Sequence, residues 1–396
     1  MTNMNRTARF FLALVIVSNP AKADHIFKHK IGTHTSPTKQ TDTAIQQHKE
    51  KIHQAYNKYK EKAAQVWGSE AVLPDAKTDV TYRDGMKQRS IVDYEKGSVQ
   101  VELALKPRHA EDHESVTHQL ATAVEKTLLQ GPDNRSIIEV AENPTPPESN
   151  ESPVLDGLVA KPGGNPLTTD EIRTFKIENT RTVNKRALLG KDGEKRVIIS
   201  TKFNMVPDHI KVRAKKFSKS VDHYAHRHNI PAPLVYAIME TESYFNPRAK
   251  SSIPAFGLMQ LVPATGARDA YKFLFQKDIV VKESYLYKPE KNIELGVAYL
   301  HLLYFRYFID INDPVARQWA TVAAYNTGAQ NVIKSFLAEN AEREKSEHWI
   351  WKNQAIKKIN SMRPEQVFNH LRNNLPTEET RNYVTKVRER IGKYTI

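Results

Sequence analysis

The chain has 396 residues, enough for two or three domains, and its 39% hydrophobic and 26% charged residues exclude a wholly disordered protein. Lys and Arg number 59 against 45 Asp and Glu, and the net charge of +14 predicts an anionic partner such as a cell-wall polymer, a membrane surface or nucleic acid. The chain has no cysteine, which excludes disulfides, Cys-ligated metal sites, thiol nucleophiles and a lipid-modified N-terminal cysteine.

The N-terminus has the three parts of a secretory signal. Arg6 and Arg9 precede an apolar run at 10–17 (FFLALVIV), and the tripeptide at 21–23 (AKA) has the small residues of a cleavage site. The run is far shorter than the ~20 apolar residues that span a bilayer. We therefore predict a cleavable signal peptide over residues 1–23, export to the periplasm, and a mature chain that is either soluble or held peripherally at a membrane or wall by its positive charge.

Residues 24–206 have the pattern of one α+β domain. Turn pairs such as Asp84-Gly85 separate short runs of alternating apolar and polar residues, which predict antiparallel strands. Residues 141–168 are dense in Pro, Ser, Asn and Gly, and this composition predicts a flexible loop within the domain. The predicted elements are a helix over 43–66, strands at 80–82, 90–94 and 99–105, a helix over 111–129, and a strand pair at 175–183 and 196–203.

From residue 207 to residue 396 the pattern is that of helices with short breaks at proline and glycine. Asp313 is placed to cap a helix whose first position is Pro314, and Thr377 precedes two glutamates at another helix start. We therefore predict that 207–396 is an all-α domain.

The segment 233–247 (PLVYAIMETESYFNP) carries a candidate catalytic acid. Val235 and Ile238 lie on the apolar stripe of a helix, and Glu242 continues that stripe, whereas Glu240 is predicted to face solvent. A carboxyl group on an apolar face is costly to ionise, so its pKa should rise, as a general acid requires. A buried glutamate paired with an arginine or a backbone group fits this spacing equally well.

Two further segments suit a polar, ring-containing ligand. The segment 254–263 (PAFGLMQLVP) predicts a loop in which Gly257 lets the backbone approach another group and Gln260 offers an amide. The segment 323–328 (AAYNTG) ends a helix with an aromatic ring and an amide. The alternatives are an ordinary helix connection for the first and a helix C-cap with a left-handed glycine for the second.

These motifs in this order resemble those of the soluble lytic transglycosylase family, which has a goose-lysozyme-like helical fold. The resemblance rests on Glu242-Ser243, GLMQ at 257–260, AYN at 324–326 and Tyr383 in a late helix. It implies an α+β N-terminal domain followed by an all-α lysozyme-like catalytic domain, because the first half is also similar to a known partner domain.

That similarity is to the N-terminal domain of the membrane-bound lytic murein transglycosylase C subgroup. It rests on VWG at 66–68 and on the stretch 80–102 (VTYRDGMKQRSIVDYEKGSVQVE), and NIELG at 292–296 agrees with the same subgroup. Members of the subgroup are typically lipoproteins, whereas this chain has no cysteine to acylate. The residues at 253–256 (IPAF) are also bulkier than is usual before GLMQ.

The resemblance implies cleavage of the β-1,4 bond between MurNAc and GlcNAc in peptidoglycan glycan strands, with formation of 1,6-anhydro-MurNAc. It makes Glu242 the single catalytic acid/base, assisted by the substrate's N-acetyl group, and it requires no metal or cofactor. The residues it implies for substrate binding are Ser243, Ser251, Gly257, Met259, Gln260, Tyr325, Asn326 and Tyr383.

Other functions remain open on the sequence. A goose-type lysozyme hydrolase would share the fold but needs water as the nucleophile, and the absence of a second acidic residue from the motifs favours the lyase. A non-catalytic peptidoglycan-binding protein would not need a buried acid. His223, His226 and His228 predict a solvated polar helix face rather than a metal site, and the scattered basic residues accompany no nucleic-acid-binding motif.

Overall fold

The computed structural model describes residues 39–251, 254–337 and 348–395. The predicted signal peptide lies outside these residues. The sheet and the helical half belong to one compact unit, which begins at His48. Within the described ranges, no helix is long and apolar enough to cross a membrane.

The first half is an α+β assembly around an antiparallel five-stranded sheet, in which the strands follow chain order except that the fifth lies between the third and the fourth. Asp84 and Gly85 have positive φ at the turn between the first two strands, which confirms the turn predicted there. The elements are α1 (Lys39–Trp67), β1 (Thr78–Arg83), β2 (Gln88–Asp93), β3 (Ser98–Leu105), α2 (Pro107–Ala110), α3 (His113–Leu128), α4 (Ile137–Glu142), α5 (Ile172–Glu178), β4 (Asn184–Leu189) and β5 (Lys195–Asn204).

The strand predicted at 175–183 is wrong, because helix α5 lies there and β4 begins only at Asn184. Thr168 and Glu171 form a capping box on the helical turn at 169–171 that leads into α5: the Glu171 carboxylate accepts from the Thr168 hydroxyl at 2.9 Å and from its backbone N–H at 3.0 Å. Ile172 and Phe175 are then buried together at helical spacing. The segment therefore continues a helical turn and buries its apolar residues on one helix face.

The sheet is buried on both faces. Ile198 and Ile199 are adjacent in β5 and fully buried, yet they belong to different cores because successive strand residues point to opposite faces. Ile199 packs with α3 and α5, whereas Ile198 lies in a core shared with Trp67 of α1 and with the helical half. The α+β part and the helices therefore share one continuous hydrophobic core.

The second half is helical, which confirms the predicted fold class. Asp313 accepts hydrogen bonds from the N–H groups of Val315 and Ala316 at 2.8 Å, as its predicted capping role requires. The helices are α6 (His209–Lys216), α7 (Ser218–His228), α8 (Ala232–Ser243), α9 (Gly266–Phe275), α10 (Glu283–Leu286), α11 (Pro289–Leu302), α12 (Pro314–Thr327), α13 (Ala329–Ser335), α14 (His348–Asn360), α15 (Pro364–Asn374) and α16 (Glu378–Tyr394).

Candidate active site

Glu242 lies in the last turn of α8, and this helix is fixed at both ends. Pro233 occupies the first turn, where its missing N–H is not needed, and Tyr244 ends the helix in the left-handed conformation. Val235 and Ile238 are fully buried, as predicted for the apolar stripe. Glu242 itself is half-buried.

The prediction that Glu240 faces solvent is wrong. Glu240 is only 1% exposed, because α16 packs along this side of α8. Its carboxylate accepts from Arg390 Nε at 3.1 Å, from Lys393 Nζ at 2.8 Å and from the Tyr394 hydroxyl at 2.6 Å. The neighbouring glutamate on α8 is therefore an ion-paired structural group.

Glu242 has the opposite environment. Among the described residues no Lys, Arg or His forms an ion pair with it. Burial raises the pKa of Glu242 from 4.5 to about 8, a shift that the Tyr383 hydroxyl opposes and the negative charge of Glu379 increases. The carboxyl group is therefore largely protonated at neutral pH, the state in which it can act as a general acid.

Two tyrosines flank this carboxyl group. Tyr383 of α16 is buried, and its hydroxyl is the group that opposes the rise in the pKa of Glu242. The Tyr325 hydroxyl of α12 donates to the carbonyl oxygen of Met259 at 2.8 Å. Burial and the charge of Glu242 hold the pKa of both tyrosines well above the ordinary value. Both rings therefore stay neutral beside the acid.

The loop that contains GLMQ is held by an amide that the sequence analysis did not single out. Asn292 is fully buried, and its Nδ2 donates to the carbonyl oxygens of Phe256 and Leu286 at 2.9 Å. Its Oδ1 accepts from the N–H of Met259 at 2.8 Å. Gly257 has φ 76°, and a Cβ there would lie 2.3 Å from the Leu286 oxygen. The NIELG motif contained this residue, but nothing in its local pattern indicated a buried amide.

The side chains of two residues predicted to bind substrate lie in the interior. Ser243 is fully buried, and its hydroxyl donates to the carbonyl oxygen of Leu258 at 2.8 Å. The Met259 side chain is also fully buried and packs against Gly296, where a Cβ would lie 2.3 Å from its sulfur. These two side chains hold the loop against α8 and α11.

The other predicted contacts keep some exposure. Gln260 and Asn326 are partly exposed, and the Gln260 amide donates to the Gly257 carbonyl oxygen at 3.1 Å. Ser251 is partly exposed just before the undescribed residues 252 and 253. The structure therefore groups Glu242, the GLMQ loop, Tyr325 and Tyr383 at one place, with Asn326 beside Tyr325 in the chain.

The conformation of Gly328 differs from the alternative considered in the sequence analysis. Gly328 has φ 84° and ψ 147°, an extended conformation suited to glycine, and not the left-handed cap considered as an alternative.

The three histidines of α7 differ in burial. His223 and His226 are exposed as predicted, but His228 is buried against the rings of Phe273 and His301 because α7 packs on α11. Within the described ranges no group of three or more potential ligands could hold a metal ion.

Sequence comparison identifies the family. Residues 45–216 match the "Membrane-bound lytic murein transglycosylase C, N-terminal domain", and residues 219–348 match the "Transglycosylase SLT domain". The chain is 32% identical to membrane-bound lytic murein transglycosylase C of Actinobacillus succinogenes over 82% of this chain and 83% of the relative. Identity to the protein of that name from Histophilus somni is 33%, over 84% of each chain. The chain belongs to the membrane-bound lytic murein transglycosylase C family.

As a member of the membrane-bound lytic murein transglycosylase C family, the protein is a lytic transglycosylase. The match to the SLT domain includes Glu242, the GLMQ loop and Tyr325, whereas Tyr383 lies beyond its last residue. The 70 kDa soluble lytic transglycosylase of Escherichia coli shows a partial likeness, with 25% identity over 47% of this chain and 25% of that chain and a TM-score of 0.34.

Proposed function

We propose that this lytic transglycosylase cleaves the β-1,4 bond between MurNAc and GlcNAc of peptidoglycan and forms 1,6-anhydro-MurNAc, with Glu242 as its only acid/base. The observation that carries this proposal is the half-buried carboxyl group of Glu242, whose pKa burial raises to about 8. No cation pairs with it in the described part of the chain, and two neutral tyrosines flank it.

The first step uses the protonated carboxyl group. Glu242 donates its proton to the glycosidic oxygen, O4 of the departing GlcNAc, while the bond from that oxygen to C1 of MurNAc breaks. The carbonyl oxygen of the MurNAc N-acetyl group bonds to C1 and forms an oxazolinium-type intermediate. This substrate group takes the place of the second carboxylate that most glycosidases use as a nucleophile.

The second step uses the same residue as a base. The Glu242 carboxylate takes the proton of the MurNAc C6 hydroxyl, and O6 attacks C1 while the acetamide oxygen leaves. The products are 1,6-anhydro-MurNAc and a protonated Glu242, so the acid is regenerated and no water is consumed. The buried Tyr383 and the partly buried Tyr325 limit the access of solvent to the carboxyl group, which favours O6 over water as the nucleophile.

One observation favours a second candidate, a hydrolase of the goose-type lysozyme class. Glu379 is exposed in the first turn of α16, and its charge acts on Glu242. A second carboxylate near the acid is what an inverting hydrolase uses to activate water. In that case replacement of Glu379 by glutamine would abolish activity, whereas the lyase mechanism needs no group at this position.

We also propose where the protein acts and how its chain divides. The net charge of +14 suits a polyanionic wall or membrane surface, and export would follow from the signal predicted over 1–23. Residues 24–206 would form the α+β domain and residues 207–396 the catalytic domain. Peptidoglycan glycan strands are the partner, with no requirement for nucleic acid or for a metal.

The deciding experiment is mass spectrometry of the products released from purified sacculi. Three proteins are compared: the wild type, Glu242→Gln, and the control Glu378→Gln, which alters an exposed glutamate at the start of α16. Anhydro-MurNAc ends from the wild type and the control, absent with Glu242→Gln, would support the proposal. Reducing ends one water heavier would indicate the hydrolase, and no release by the wild type would leave a wall-binding protein.

A further inference from the structure

The segment 244–250 connects the candidate acid to Ser251 and lies against the α+β part of the protein. Its first two residues, Tyr244 and Phe245, have φ of 49° and 60°. The left-handed conformation costs a side-chain-bearing residue about 1 kcal/mol or more. Contacts from outside the segment must therefore hold it in place.

Tyr244 is held by the β2–β3 turn. Its ring packs into the hydrophobic core that contains Ile199. All other buried residues of that core lie between residues 92 and 205, in the α+β part. The Tyr244 hydroxyl donates to Glu95 Oε1 at 2.7 Å, and Arg213 bridges the backbone by donating to the Tyr244 and Tyr94 carbonyl oxygens at 3.0 and 2.7 Å. The residue two positions after Glu242 is thus part of the α+β core.

Arg248 is held by two carboxylates of the α+β part. Its largely buried guanidinium lies 3.9 Å from Asp79 of β1 and 3.6 Å from Asp133. Burial alone would raise the pKa of Asp133, but hydrogen bonds from Arg135 and the charge of Arg248 lower it below its ordinary value, so this carboxylate is charged. The opposite charges fix the middle of the segment.

A side-chain hydrogen bond on one side and a backbone hydrogen bond on the other complete the attachment. The Asn246 amide donates to the Ala76 carbonyl oxygen at 3.3 Å on the side of the α+β part. On the other side, the Ala249 carbonyl oxygen accepts from the N–H of Gly257 at 2.8 Å. The segment therefore connects the α+β part both to α8 and to the GLMQ loop.

We propose that the α+β part positions the catalytic groups, with Asp79, Asp133 and Glu95 holding the segment 244–250. These three carboxylates are positioning residues, because they set Glu242 relative to the GLMQ loop without being placed at the reacting atoms themselves. The proposal rests on the function proposed above for Glu242. Its consequence is that loss of these contacts lowers kcat and leaves KM nearly unchanged, even for a substrate too short to reach the α+β part.

The first test uses the full chain and a soluble muropeptide with a single MurNAc–GlcNAc bond to be cleaved. The double variant Asp79→Asn, Asp133→Asn removes both charges beside Arg248 without changing side-chain size. We expect kcat to fall about 10- to 100-fold with KM changed less than about 3-fold, since small displacements of reacting groups cost this much. The control Asp192→Asn breaks an ion pair with Arg196 inside the α+β part, 2.8 Å between Nη1 and Oδ1, and should leave kcat unchanged.

A milder pair of variants covers the case in which the double variant fails to fold. Glu95 is 45% exposed and pairs with Lys77, while Glu194 is 52% exposed and pairs with Lys106. Glu95→Ala removes the acceptor of the Tyr244 hydroxyl and should lower kcat about 3-fold or more, whereas Glu194→Ala should not. Thermal unfolding of each variant confirms that the compared proteins are folded.

The outcomes separate the two proposals. An unchanged kcat in folded Asp79→Asn, Asp133→Asn and in Glu95→Ala would overturn the positioning proposal. A rise in KM alone would also overturn it, because it would show direct substrate binding by this part. Full activity of Glu242→Gln in the same assay would refute the proposed function, whatever the carboxylate variants do.

Discussion

Replacing Glu242 by glutamine removes a carboxyl group that the folded protein holds in its neutral form. Because burial raises its pKa from 4.5 to about 8, the folded state binds a proton that the unfolded chain releases at a lower pH. The stability associated with this group is fully present below pH 4.5 and is lost as the pH rises towards 8. Glutamine resembles the neutral acid, so we expect the variant to keep its stability across this range.

The size of the effect follows from the pKa values. One pKa unit corresponds to about 1.4 kcal/mol, so the full penalty is about 5 kcal/mol above pH 9 and about 3 kcal/mol at pH 7. Glu242 keeps partial contact with solvent, which screens its charge. We therefore expect Glu242→Gln to raise the free energy of unfolding by about 1.5 to 3 kcal/mol at pH 7 and by nothing measurable at pH 4.

The assay is urea unfolding of both proteins from pH 4 to pH 9, followed by circular dichroism. The matched control is Glu240→Gln, two residues away on α8, which should have the opposite effect. It leaves Arg390 and Lys393 without their partner, and breaking such a buried pair costs about 3 kcal/mol. Superimposed stability curves of Glu242→Gln and the wild type over the whole pH range would refute the raised pKa.

Two further predictions test the electrostatics and the loop. Glu379→Gln removes a negative charge near Glu242 and should lower the upper pKa in the pH profile of kcat by less than about one unit, whereas Glu378→Gln should not; an unshifted profile in the first variant contradicts the coupling. Gly257→Ala should destabilise the protein by about 2 kcal/mol or more and reduce activity, because its Cβ would meet a backbone oxygen at 2.3 Å and its φ is 76°. Gly392→Ala, in open space on α16, should instead stabilise by about 0.5 to 1 kcal/mol; thermal unfolding measures both.

The predictions from sequence succeeded where short-range patterns decide the structure. The three strands after residue 78 follow from alternating residues separated by turn pairs, and the start of α12 follows from Asp313. The strand predicted at 175–183 failed although its signal was also local. Thr168 and Glu171 cap the helical turn at 169–171 that leads into α5, and this pair of residues three apart is a sequence signal for a helix start that the prediction did not use.

The errors at the site have a different origin, because they involve contacts between distant parts of the chain. Helical periodicity placed Glu240 on the side of α8 opposite the apolar stripe. In the structure, α16 packs on that side, and its Arg390 and Lys393 lie about 150 residues further along the chain. Asn292 and Ser243 likewise act through carbonyl oxygens of the GLMQ loop, which no spacing rule on their own helices can indicate. The order of the motifs identified the residues that lie at the site. It did not indicate which of their side chains, such as those of Ser243 and Met259, are fully buried.

The two glutamates of α8, Glu240 and Glu242, differ in the partners that α16 gives them. The last turns of α16 supply Arg390, Lys393 and Tyr394 to Glu240, so that this side of α8 is anchored by charge. The first half of α16 supplies Tyr383, a group without positive charge, to Glu242. No cation pairs with Glu242 within the described residues. Burial is therefore the largest influence on its pKa, which it raises, and the carboxyl group stays largely protonated at neutral pH. One helix, α16, therefore gives Glu240 two cationic partners and gives Glu242 a neutral hydroxyl.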